Sequence, residues 1–128
     1  MSEIRATTIS DAAGTGPIAL TKQSAAKVWV NFDQYYTNTI RDSYNVSSCV
    51  DGGTGILTTN FTNNMANASY STSSACGDAG SYRALFSFDV GIANILAASL
   101  KGIMRQCDAP TTSLDVSMAM LHIHGDLA

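Results

Sequence analysis

Strict alternation of apolar and polar side chains is the feature that most narrows what this chain can fold into. In AAKVWVNFD, Val28, Val30 and Phe32 alternate with Lys27, Trp29, Asn31 and Asp33. Successive side chains of an extended strand point to opposite faces of a sheet, so a period of two marks a half-buried strand. Tyr44, Val46, Ser48 and Val50 likewise alternate with Asn45, Ser47 and Cys49, and Leu57, Thr59 and Phe61 read as the returning strand. Between them, Asp51-Gly52-Gly53-Thr54-Gly55 supplies glycines able to take the positive φ of a tight hairpin.

The pattern continues to the carboxyl end. In SYRALFSFDV, Tyr82, Ala84, Phe86, Phe88 and Val90 share one face, which is predicted to be core, with Arg83, Ser87 and Asp89 opposite. LDVSMAMLHIH places Leu114, Val116, Met118 and Met120 on one face and Ala119, Leu121 and Ile123 on the other. A strand apolar on both sides is expected at the centre of a sheet or between subunits. IANILAASLKGIMRQC fits a helical face through Ile92, Ile95, Leu96, Leu100 and Ile103, but Gly102 weakens that reading. Strands with an Ala-Ser-Leu corner are preferred for residues 92–107. Short strands joined by Gly-rich turns, with no convincing helix, predict an all-β antiparallel sandwich or jelly-roll-like domain.

A length of 128 residues supports one hydrophobic core. Residues 1–24 form an expected extended arm, and residues 25–128 the sandwich. The arm holds short extended pieces around the turn cluster DAAGTGP, and Ile4, Ile9, Ile18 and Leu20 are its candidate anchoring residues. It has too little apolar surface to fold alone and suits addition to the edge of a neighbouring sheet. Charged residues are 13% of the chain, about half the usual share, and buried interfaces are depleted in charge, so an oligomer is favoured. Seven scattered Lys and Arg within a net charge of −3 offer no basic stripe for nucleic acid. The polar amino end and the lack of a long apolar run predict neither a signal peptide nor membrane insertion. Cys49, Cys76 and Cys107 lack any ligand spacing and are expected to be free thiols acting as small core hydrophobes.

His122 and His124 are two residues apart on a predicted strand, so both rings share a face. Around a threefold axis they could present imidazoles to a metal; the alternative is that His124 merely belongs to the IHGDLA ending. No metal or other cofactor is expected. No GxSxG motif occurs, and pairings among Asp33, Asp42, Asp51, Asp78 and Asp89 are too unspecific to indicate a glycan-cleaving centre. The Gly-rich runs lack the phosphate-loop pattern. Sequons begin at Asn45, Asn60 and Asn67, but eight Asn and 28 Ser or Thr give about two by chance. In DQYYTNT, by contrast, Tyr35 and Tyr36 lie beside Asn38 and Thr39, a mixture able to stack on a sugar face and bond its hydroxyls. The competing reading is that both tyrosines pack against a neighbouring subunit.

The runs AAKVWVNFD, TIRDSYNVSS, VDGGTG, LTTNFTNNMANASYS and IHGDLA, in this order after a lead-in TTISDAAGTGPIALTKQ, resemble a β-rich domain of tail-fibre-like and other small virion proteins of tailed bacteriophages. The resemblance is strongest over residues 7–70 and 123–128. It implies a non-enzymatic homotrimer on the virion surface, synthesised in the host cytoplasm, that attaches to the host through a cell-surface glycan or protein. The arm would then hold tail or capsid proteins, and Tyr35, Tyr36 and Asn38 would face the receptor. A capsid decoration (cement) protein is the alternative, and a glycan depolymerase a remoter one. Family members tend to carry a short Gly/Thr turn where this chain has DQYYTNT, so the chemistry of that loop is this chain's own.

Overall fold

The computed structural model describes residues 25–77, 84–87, 94–109 and 111–128. The arm residues Ile4, Ile9, Ile18 and Leu20 lie outside the described residues, as do Asp78, Tyr82, Phe88, Asp89, Val90 and Ile92. Every element described is a strand: β1 (Val28–Asp33), β2 (Thr39–Tyr44), β3 (Val46–Asp51), β4 (Ile56–Phe61), β5 (Ser71–Gly77), β6 (Ala84–Ser87), β7 (Ile95–Leu96), β8 (Ser99–Gln106) and β9 (Met118–His124). They form two antiparallel sheets, one ordered β2-β1-β9-β5 and the other β3-β4-β8-β6, with β7 also paired to β8. The protein is an all-β sandwich.

The inward faces are those the alternation marks. Val28, Val30 and Phe32 from β1 and Ala119, Leu121 and Ile123 from β9 meet Leu57 and Phe61 from β4 and Leu100 and Met104 from β8. β9 is central in its sheet, as its two apolar faces require, with Met118 and Met120 half-buried on the outer side. It is shorter than predicted, because Leu114–Ser117 precede the strand. Val116 is buried there, and its carbonyl accepts the amides of Gln34 and Tyr35. Residues 95–96 and 99–106 are strands, with β7 and β8 joined through a turn at Ala97-Ala98. Gly102, the residue that counted against a helix, lies under the Phe86 ring: a Cβ there would collide with Phe86 Cζ.

The segment from Tyr44 to Val50 is not one strand. Asn45 takes the left-handed region at φ 57°, and the chain leaves the first sheet after β2 to enter the second as β3. Its side chain secures this corner. Nδ2 donates to Lys27 O at 3.1 Å and to Asn63 O at 3.1 Å, while Oδ1 accepts the Asn63 amide at 2.7 Å and Asn63 Nδ2 at 3.1 Å. A bulge between Val46 and Ser48 then reverses the facing, so Cys49 packs on the core and Val50 is exposed. The Gly-rich hairpin forms as expected, with Gly53 at φ 111° and Gly55 at φ 72°.

Two of the runs that carry the family resemblance meet in space. Met65 bridges to Leu127, the Ala66 amide donates to Asp126 O, and the Ala128 amide donates to Asn64 O. Met65 is buried by this closure, and Gly125 passes close against Met65 and Tyr70. NFTNNMANASY and IHGDLA therefore seal one end of the sandwich together.

Candidate functional site

The turn between β1 and β2 makes a tip whose aromatic side chains stay outside. Tyr35 is 53% exposed and Tyr36 67%. Their rings meet edge to face, with centroids 4.7 Å apart and planes at 86°. Such a pair is favourable for aromatic quadrupoles, and it holds each ring against the other. Asn38 closes the turn at φ 51°, a conformation asparagine tolerates better than most residues.

Five polar side chains, Asp33, Gln34, Asn38, Arg41 and Asp51, brace this tip. Asp33 Oδ1 accepts the Tyr36 amide at 2.9 Å, an Asx-type turn, and its Oδ2 accepts Arg41 at 2.8 Å. The buried Gln34 sends its amide nitrogen to Asp51 Oδ1, Gly53 O and Ile56 O at 3.0, 3.3 and 3.1 Å. Asn38 Nδ2 donates to Asp51 Oδ2 at 3.2 Å, and the Gly53 amide to Asp51 Oδ1 at 2.9 Å. The tip of one sheet is thus tied to the β3–β4 hairpin of the other. The Tyr36 amide first, and Arg41 second, hold the Asp33 carboxyl below its ordinary value of 3.8, against the opposing effect of desolvation. All four oxygens of Asp33 and Asp51 accept a bond that supports the turn, so these carboxylates are committed to holding the loop.

The other sequence-derived candidates lie elsewhere. His122 is exposed and His124 half-buried on the outer face of β9, opposite Ser73 and Ser71 on β5. Among the described residues no group of three or more His, Cys, Asp or Glu could hold a metal ion. Asp42 is exposed on β2. Each sequon asparagine supports the local backbone or a neighbouring side chain. Asn45 holds the corner, Asn60 Nδ2 donates to Ser48 Oγ at 3.0 Å, and Asn67 Oδ1 accepts the Ser69 amide at 2.7 Å.

The thiols divide. Cys49 and Cys76 pack against the core, and burial pushes them up to about 11 and about 12, the latter helped by Cys107. Cys107 is exposed, contrary to the expectation of three core thiols, because it follows the last residue of β8 and no strand carries it inward.

The tyrosines and Asn38 are legible in the sequence, whereas Gln34, which makes the inter-sheet tie, is not. Its only sequence signal is an amide side chain directly after an inward-to-outward strand end. Tyr44, 55% exposed and in register with Trp29, is likewise unmarked in the sequence as a surface aromatic. Neither a protein-family model nor a curated protein nor a solved structure matches this chain.

Proposed function

We propose that the chain is a non-enzymatic structural protein of a tailed-phage virion surface, acting as a homotrimer, with the Tyr35–Tyr36 tip contacting the host. The observation that carries this reading is the tip itself: two exposed tyrosines on a turn fixed to both sheets. Exposing two aromatic rings to water while bracing the backbone beneath them favours recognition, because a preformed contact surface loses little freedom on binding. The engagement of Asp33 and Asp51 in the brace supports a binding role over hydrolysis. The phage assignment rests on the sequence resemblance, and the low charge of the chain supports assembly with copies of itself. Three tips on one trimer would gain affinity by linkage.

The test has two arms. Light scattering on the purified chain should give a trimer mass, and labelled antibody on intact virions should mark the tail. Replacing Tyr35 and Tyr36 together by Ala should then lower adsorption to host cells without lowering the melting temperature. Label spread over the shell would overturn attachment and recast the protein as capsid cement. Unchanged adsorption by the double variant would remove the tip from the contact.

A further inference from the structure

The tip is one end of a longer surface. On β1, Trp29 and Asn31 alternate with the buried Val28, Val30 and Phe32, so they face outward. Trp29 stands opposite Tyr44 on β2, and Asn31 opposite Asp42, so the outer face of this hairpin has an aromatic pair at the end remote from the tip. Tyr44 is as open to solvent as Tyr35. The two aromatic stations are about 15–20 Å apart at the usual rise of a strand. Between them lie the Asn31 amide and the Asp42 carboxylate.

A surface with aromatic faces at both ends and hydrogen-bonding groups between them suits a chain that is itself alternately apolar and hydroxylated. Charge narrows the class. Asp33, Asp42 and Asp51 outnumber the two cations of this hairpin, Arg41, already held by Asp33 at 2.8 Å, and Lys27, next to Trp29 on the outer face, and such a field disfavours polyanions. Resting on the attachment reading above, we propose that the Tyr35–Tyr36 tip and the Trp29–Tyr44 pair form one track for a linear, uncharged oligosaccharide long enough to reach both. A short sugar engages one station; a long one engages both, and the second contact is then intramolecular.

The test uses the full chain against neutral hexose, N-acetylhexosamine and deoxyhexose oligosaccharides of two to eight units, with uronic-acid oligosaccharides of the same lengths, by calorimetry. Affinity for a neutral series should rise about tenfold or more from two units to six, as expected for adding a second stacking contact. Tyr44→Ser, on an edge strand and with an unchanged melting temperature, should erase that rise and leave disaccharide binding intact. A length-independent affinity, a Tyr44→Ser variant that keeps the rise, equal or tighter binding of the acidic series, or no binding of any neutral series would each overturn the track. Host adsorption separates the two readings. If the Tyr35/Tyr36 double variant adsorbs poorly while no neutral series binds, attachment stands and the track falls; if adsorption is unchanged, the attachment reading falls and the track with it.

Discussion

Replacing Asn45 tests whether the corner between the sheets is held by one side chain. Asn45→Ala removes two donated and two accepted bonds and leaves a Cβ-bearing residue at φ 57°. The bond to Lys27 O is partly shielded and the Asn63 amide bond is short. Together they are worth about 2 kcal/mol, with little from the two longer, exposed bonds to Asn63. The left-handed backbone adds about 1 kcal/mol for alanine, giving a loss of about 3 kcal/mol. In a domain near 100 residues that lowers the melting temperature by on the order of 10–20 °C. Asn45→Gly relieves the backbone term and should lose about 2 kcal/mol, so urea titrations should order the stabilities wild type, Gly, Ala. A loss under about 0.5 kcal/mol for Asn45→Ala would refute the hub. Glycine as damaging as alanine would refute the part assigned to φ.

Other expectations follow from contacts and charge. Gly102→Ala drives a methyl into the Phe86 ring and should cost about 1–3 kcal/mol by denaturant unfolding, with Phe86→Leu partly restoring stability in the double variant. An aromatic disulfide reagent at pH 8 should label Cys107 rapidly, and Cys49 and Cys76 far more slowly, since both thiols are half-buried against the core and raised to about 11 and about 12. A raised folded value means the contribution is complete below the ordinary value of 9.0 and lost as pH climbs toward 11, so melting temperature should decline across that window, and less so in Cys49→Ala. Asp33 behaves oppositely. Its depressed value gives a contribution present above about 4 that is lost as pH falls through the folded value, so the tip amide of Tyr36 should lose protection relative to its intrinsic exchange rate below about pH 4. In Asp33→Asn this acid step should be absent.

Alternation makes β1, β4 and β9 legible, because each has one face in the core and the pleat forces a period of two. It fails at Tyr44-Asn45-Val46, where a corner reads as continuous strand. A single left-handed asparagine leaves the polar–apolar order undisturbed while sending the chain to another sheet. Val50 reads as sharing the face of Val46 for a related reason: a bulge shifts facing by one residue, and nothing in VSSCV announces it. The candidate tip is visible as a polar aromatic cluster. Its brace is not, since the tie from Gln34 to Asp51 joins residues 17 apart through the closing of two sheets. Trp29 and Tyr44 stand in the sequence as separate strand residues, and only register places them side by side.

The continuous passage of β2 into β3 has a mechanical consequence. A pull entering at the tip travels down the β1–β2 hairpin and, through Asn45, loads the opposite sheet as well. Gln34 carries part of the same load across near the tip. Force along the strands then acts on many ladder bonds in shear, so they resist together and do not peel in turn. A molecule wired this way would fail abruptly at high tension, a useful property for a part that is tugged from one end.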